Sequence, residues 1–498
     1  MRTSVIIDLV QGVENYIGGQ WREAAGEHTT LVIDPATNEA LATVPADGRE
    51  GVAEAVNAAA KAYPEWKAVP PGDRIQFLFR FKQLLEEDFE AIARLISREN
   101  GKTYAEAAGE LRRGIENVEV ACGIPTMMQG YNLEDIARGI DETMIRQPLG
   151  VVGVITPFNF PVMIPLWFLP YAIACGNTVV LKPSEKVPLS ARKVIEALER
   201  TGLPKGVVNL AHGGRAAADA LIEHPEVRAI SFVGSTPVAK HVYATAARHG
   251  KRVQCQGGAK NHVVVLPDAD METTTKIVGD SAFGCAGQRC LAVSTVVTVG
   301  EAHAAFRDAL VETAGSLKVG SGLEPGIEMG PVITAASRSR IENAITRGIG
   351  DGARATLDGR GLRVEGYPDG NFVGPTVLDD VEANGFVAST EIFGPVLGLT
   401  PVRSLEEAIE VISRSRYGNA SSIFTTSGAS ARKFRSEVPT GNVGVNIGVA
   451  APMAYFPFSG WKDSFFGVLH GQGRDAVEFY TDKKVVVERW PQEWSRRF

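Results

Sequence analysis

Between Gly150 and Arg248, short β-branched runs alternate with helix-length segments, and this alternation limits the fold more than any other feature of the chain. Gly150 to Thr156 reads as a strand closed by Pro157, Trp167 to Ala174 as a helix, Thr178 to Leu181 as a strand and Ser190 to Glu199 as a helix. Val207 to Leu210, Ala216 to Glu223, Ala229 to Val233 and Val238 to Arg248 repeat the pair twice. Strands joined by helical crossovers run parallel and need cover on both faces, so the stretch predicts an α/β layer structure. A second alternating block opens near His262 to Leu266 and runs to about Asn446, with helices expected at Thr273 to Phe283, Ala302 to Gly315 and Leu405 to Ser413. Ahead of both blocks, helical spacing covers 52–66 and 73–99 and continues over Ala105 to Ala121. Thr143 to Gln147 and the tail Glu478 to Trp490 are strand-like yet lie outside the blocks. An unpaired strand edge is a liability, so they predict an arm that pairs with another subunit.

Composition excludes several classes. The 498 residues are 44 % hydrophobic and 22 % charged, a globular balance with length for more than one domain. A net charge of -7 provides no basic field for nucleic acid or an anionic membrane. The most apolar stretch, Val151 to Val180, is broken by four prolines and two asparagines, far from the ~18 apolar residues of a membrane helix. Met1 to Leu9 lacks the length of a signal-peptide core. Five scattered cysteines argue against a disulfide framework or a zinc site and for a reducing, cytoplasmic setting.

Five segments carry the chemistry. In Gly287-Gln288-Arg289-Cys290 a thiol stands before a Val/Thr-rich run, Leu291 to Val299, that reads as a buried strand. Such a cysteine is either a small buried hydrophobe or a nucleophile, with Arg289 placed to favour its thiolate. Asn159, within Thr156-Pro157-Phe158-Asn159-Phe160-Pro161, is either a turn cap or a fixed amide donor for an oxyanion. Lys182-Pro183-Ser184-Glu185 closes a strand where a cation and a carboxylate can bracket a ribose diol. Phe232-Val233-Gly234-Ser235 closes another and opens a helix, a position suited to phosphate. In Glu391-Ile392-Phe393-Gly394-Pro395 a lone carboxylate adjoins a tight turn.

Together with Asn15-Tyr16-Ile17-Gly18-Gly19 and Pro457-Phe458-Ser459-Gly460, these motifs fall in an order and spacing that resembles the aldehyde dehydrogenase superfamily over nearly the whole chain. The resemblance implies an NAD-binding Rossmann-like domain, an α/β catalytic domain and a small β oligomerisation arm. It divides the chain into 1–129 with 151–258 for NAD, 259–442 for catalysis, and 130–150 with 475–498 for the arm. A homotetramer or homodimer follows from the arm, and no metal is implied. Cys290 becomes the nucleophile, and Asn159 joins the Cys290 backbone N–H in an oxyanion hole. NAD contacts are implied at Thr156, Phe158, Lys182, Glu185, Lys186, Ser235, Gly257 and Glu391. Glu185 beside the ribose favours NAD over NADP, whose extra phosphate would meet its charge.

One departure narrows the function. Most of the superfamily carries Glu-Leu-Gly-Gly-Lys, whose glutamate is the base that activates water for deacylation. Here the stretch is Gln256-Gly257-Gly258-Ala259-Lys260-Asn261-His262, and an amide accepts no proton at neutral pH. A general base contributes ~10²–10⁴-fold, so hydrolysis of a thioester should be slow. A thiol acceptor, a few per cent ionised at pH 7, needs no such help. Gly-Ala-Lys-Asn-His, Gly-Gln-Arg-Cys, His470-Gly471-Gln472-Gly473 and Ser464-Phe465-Phe466-Gly467 are similar to the CoA-acylating methylmalonate-semialdehyde dehydrogenases. That resemblance implies NAD as cofactor, coenzyme A as co-substrate, and decarboxylating oxidation of methylmalonate or malonate semialdehyde. The substrate carboxylate calls for a cation, assigned to Arg289 and to Arg113 of the Arg-Gly-Ile-Glu-Asn segment, with Arg112 a solvated helix charge. His212 and His262 are expected to be structural or close to the nucleotide, and Cys255 and Cys285 to serve packing. The alternatives are a hydrolytic aldehyde dehydrogenase with another carboxylate as base, and an inactive protein that kept the fold.

Overall fold

The computed structural model describes residues 11–24, 26 and 29–490, so the Met1–Leu9 segment and the end of the arm, 491–498, lie outside the described residues. Two sheets carry the molecule. The first has eight strands in the order Gln20–Glu23, Glu14–Ile17, Val208–Leu210, Thr178–Lys182, Val151–Ile155, Val227–Val233, Arg252–Gln256, Phe465–Phe466. Its central pairings are parallel and its edge pairings antiparallel. Every residue of Val151–Ile155 and Thr178–Lys182 is buried, as a strand covered by helices on both faces requires.

The second sheet has seven strands, in the order Arg354–Leu357, Thr376–Asp379, Val396–Val402, Val293–Val299, Asn261–Val265, Ala420–Phe424, Asn442–Val445. All pairings are parallel except that of the edge strand Arg354–Leu357. The chain passes from Gln256, at the carboxyl end of the first sheet, through Gly257–Lys260 directly into Asn261–Val265 of the second. The carboxyl ends of one sheet therefore meet the amino ends of the other, and the site lies at that junction.

Three expectations change. The helical stretch 73–99 is two helices, Pro71–Glu87 and Phe89–Asn100, broken at Asp88. The next, Tyr104–Cys122, starts afresh on a capping box in which Thr103 and Glu106 satisfy each other's backbone N–H groups. The helix expected from Trp167 begins at Met163 and buries almost every residue, so it lacks the polar face that periodicity needs to find its start. Third, the two outlying strands pair with each other within the chain: Thr481–Arg489 lies antiparallel to Ile140–Pro148, with Val486 opposite Thr143. Tyr131–Ala137 adds a third strand, exposed at every residue, and the helix Gly473–Tyr480 takes up the start of the supposed strand tail. Among the described residues no helix is long and apolar enough to cross a membrane.

Candidate active site

Cys290 is reached by a backbone turn that residues with side chains avoid. Cys285, Ala286 and Gly287 have φ of 51°, 51° and 69°, left-handed in succession. Gly287 has no alternative, since a Cβ there would stand 2.1 Å from Gly394 O. Glu106 Oε1 accepts from Cys285 N–H at 2.5 Å, and the Gln288 side chain accepts from Ile333 N–H at 3.1 Å. The carbonyl of Cys290 is gripped by Asn261 Nδ2 and Asn419 Nδ2, each at 2.8 Å. These bonds leave the thiol as the free end of a rigid segment.

Burial pushes that thiol up to about 12; Glu391 adds to the rise, and Arg289 and backbone N–H groups oppose it without winning. Arg289 thus acts in the direction expected of it, favouring the thiolate, but burial outweighs it. One Nη of Arg289 donates to the carbonyls of Asp280 and Ser281, at 2.5 and 3.1 Å. Asn159 is buried, and its Nδ2 donates to Gln288 O at 3.0 Å. That bond uses one amide hydrogen and fixes the plane, leaving the second for an oxyanion.

Two cavities meet at this sulfur. Thr156, Phe158, Asn159, Lys182, Glu185, Lys186, Ser235, Gly257 and Glu391 all line one of about 810 Å³. Arg113 and Arg289 line the other, of about 290 Å³. Among the described residues Cys290 is the one that lines both.

The larger cavity suits a dinucleotide. It opens at the carboxyl ends of three parallel strands and at the helix Thr236–Arg248, whose N-cap Ser235 makes no side-chain cap, leaving N–H groups for phosphate. Lys182 Nζ is 3.9 Å from Glu185 Oε2 and donates to the carbonyls of Pro183 and Gly213, at 2.9 and 2.8 Å. Glu391 Oε1 accepts from Ala259 N–H at 2.8 Å, and a Cβ on Gly258 would stand 2.3 Å from Glu391 Oε2. Phe158 meets Phe393 edge-on at 5.9 Å, and Lys186 lies over Phe158 at 5.1 Å. Thr156 Oγ1 is buried without a partner.

The smaller cavity is walled by Phe160, Met163, Trp167, Leu291 and Phe458. Arg113 donates to Pro452 O at 2.8 Å and pairs with Glu116 at 3.4 Å, while Arg112 pairs with Glu86 on the surface. Three carboxylates also line it, and each is engaged. Glu106 holds Thr103 N–H and Cys285 N–H; Glu110 holds Lys102, Val162 N–H and Met163 N–H; Glu116 holds Arg113. Gln256 Nε2 donates to Phe458 O at 3.1 Å, tying the base position to the cavity wall.

Sequence reasoning missed Lys102, Glu106, Glu110, Asn261 and Asn419, which reach the site from distant segments. The Asn117 amide of the Arg-Gly-Ile-Glu-Asn segment also lines the cavity, as does Cys285, buried but beside the chemistry rather than purely packed. His212 and His262 are buried and driven to about 3 by desolvation, hence neutral, and line neither cavity.

Comparison with known proteins agrees with this layout. The aldehyde dehydrogenase family profile matches residues 21–486. The chain is 51 % identical over 484 residues to malonate-semialdehyde dehydrogenase 2 of Geobacillus kaustophilus, covering 97 % of this chain and 99 % of that one. The crystal structure of methylmalonate-semialdehyde dehydrogenase from Oceanimonas doudoroffii superposes with a TM-score of 0.96 at 43 % identity, over 98 % of this chain and 100 % of the other. A Sinorhizobium meliloti protein solved in complex with NAD superposes with a TM-score of 0.95 at 41 % identity, over 97 % of this chain and 99 % of that one.

Proposed function

The chain belongs to the aldehyde dehydrogenase family, and on that premise we propose that it oxidises malonate or methylmalonate semialdehyde with NAD and passes the acyl group to coenzyme A. The observation that carries the acceptor is the state of the carboxylates. Gln256 stands where the base would be, and every carboxylate lining the smaller cavity is bonded to a cation or to backbone N–H groups. Water entering that cavity finds no free base, whereas a thiol needs none.

Arg113 and Arg289 bind the substrate carboxylate and aim the aldehyde at Cys290. The Cys290 thiol gives its proton to solvent, and Sγ bonds to the aldehyde carbon as the carbonyl π pair moves onto oxygen. The resulting oxyanion accepts hydrogen bonds from the second Asn159 amide N–H and the Cys290 N–H. NAD, held along the larger cavity by Lys182, Glu185, Ser235 and Glu391, supplies the hydride acceptor. Loss of hydride leaves a thioester on Cys290. The bond to the carboxylate carbon then breaks, its electron pair passing into a thioester enolate that takes a proton from water at the α-carbon. The carboxylate carbon leaves as carbon dioxide and is hydrated to bicarbonate in solution. The coenzyme A thiol attacks the thioester carbonyl, frees Cys290, and carries off acetyl from malonate semialdehyde or propionyl from its methyl homologue.

The sheet Tyr131–Ala137, Ile140–Pro148, Thr481–Arg489 is the oligomerisation arm in this reading. Tyr131, Leu133, Val485 and Val487 are 72, 57, 58 and 60 % exposed on it, an apolar surface suited to another subunit of a dimer or tetramer. The setting is cytoplasmic, and the NAD-binding, catalytic and arm segments divide as the resemblance implies.

The test is NADH formation from malonate semialdehyde with and without coenzyme A. The expected result is one equivalent of NADH per site without coenzyme A and sustained turnover only with it. Sustained turnover releasing free acid without coenzyme A would replace this reading with the hydrolytic one.

A further inference from the structure

The backbone that carries Asn159 is held by side chains from one short stretch, 100–110. Asn100 Nδ2 donates to Phe158 O at 2.9 Å, and Lys102 Nζ donates to Asn159 O at 2.7 Å. Glu110 Oε1 accepts from Val162 N–H at 2.9 Å and Met163 N–H at 3.1 Å. Lys102 and Glu110 close on each other at 2.6 Å, both side chains wholly buried. The stretch also holds the nucleophile loop, because Glu106 splits its carboxylate between Thr103 N–H and Cys285 N–H. Glu106, Glu110 and Arg113 stand at i, i+4 and i+7, one face of the helix Tyr104–Cys122, and all three line the smaller cavity. Tyr104 N–H donates to Gly322 O at 2.8 Å, which anchors the stretch outside both loops.

A fully buried ion pair is often no more stable than apolar residues of the same volume, so stability is a weak reason to keep one. Holding two independent loops at a set distance is a better reason. We propose that Lys102, with Glu110 and Glu106, forms a rail of positioning residues that fixes the oxyanion donor Asn159 relative to the Cys290 loop. The proposal rests on Asn159 serving as that donor. The rail touches neither aldehyde carbon nor hydride; it acts through the placement of Asn159.

The test is a double-mutant cycle on the single-turnover NADH burst, with NAD and malonate semialdehyde and no coenzyme A. Asn159→Ala is expected to slow the burst by about 10²–10³-fold. Lys102→Met is expected to slow it by about 10²-fold in the intact enzyme, the cost of an angstrom-scale misplacement, and by less than about twofold once Asn159 is Ala. A purely structural role would slow both backgrounds alike. Equal slowing, or a Lys102→Met burst within about twofold of wild type, overturns the proposal. A burst that Asn159→Ala leaves unchanged removes the oxyanion reading and the rail with it, whereas additive slowing removes the rail alone. Where Lys102→Met does not fold, Lys102→Met with Glu110→Gln takes away both buried charges and carries the same cycle.

Discussion

The two cavities that meet at Cys290 are built on different principles. The larger one owes more to topology: Thr156, Lys182, Ser235 and Gly257 stand at or just past the carboxyl ends of parallel strands, where the sheet itself places them. The smaller one has no such frame. Its walls come from a helix near residue 110, a second at 163–174, the Cys290 loop and the segment 449–458, tied together by buried polar side chains. Strand ends place cofactor contacts with little help from individual residues, whereas a pocket between helices and loops needs a specific bond for each wall. Replacements on the two sides should therefore disturb separate kinetic constants.

The harshest probe removes the junction. Cys290→Ala is expected to abolish the NADH burst, a loss of at least about 10⁴-fold, while NAD binding stays within about twofold. A burst surviving in the variant would put the nucleophile elsewhere. The next probe is pH. With the thiol held up to about 12, the thiolate fraction of unliganded enzyme rises as pH rises, so alkylation of Cys290 by iodoacetamide should climb about tenfold per unit from pH 7 to 10. A plateau near pH 8, followed by mass spectrometry of the Cys290 peptide, contradicts the burial argument. On the smaller-cavity side, Arg113→Met should raise KM for malonate semialdehyde by about 10–10²-fold and leave KM for propanal and NAD nearly alone, as expected for a lost charge-assisted pair. Equal effects on propanal take Arg113 out of carboxylate recognition. On the larger-cavity side, Glu185→Gln should improve NADP use by about tenfold with the aldehyde KM unmoved. Unchanged NADP kinetics would show that Glu185 does not face the ribose.

The same contrast governs how much was legible in the sequence. Strand–helix alternation located four of the first sheet's eight strands to within a residue or two, because runs such as Val151–Ile155 and Thr178–Lys182 are short, β-branched and sharply ended. Glu14–Ile17, Gln20–Glu23, Arg252–Gln256 and Phe465–Phe466 lie outside the stretches it marked. Thr156 and Lys182, proposed to face the cofactor, were legible because they close two of the marked strands. Lys102 and Glu110 were not: a charge on a helix reads as solvated until its partner is known, and Lys102 meets Asn159 57 residues away, while Glu106 meets Cys285 across 179. Arg289 was legible as a cation by the nucleophile, but its bonds to Asp280 and Ser281 depend on where the preceding helix ends. The pairing inside the arm was not legible for a similar reason, since a strand pattern does not name its partner and Ile140–Pro148 lies against Thr481–Arg489 of its own chain.

The amide of Gln256 has a consequence for what mutation can reach. Its N–H holds Phe458 O, a service that an ionised carboxylate, acceptor only, is unable to perform. Restoring glutamate at this position would set two acceptors face to face in a buried site and loosen the segment that walls the aldehyde cavity before any water is activated. A one-residue return to hydrolysis is thereby obstructed: the path back runs through a less stable protein unless a second change at Phe458 or its neighbours comes first. The proposed preference for coenzyme A would thus be guarded by epistasis as well as by the glutamine at the base position.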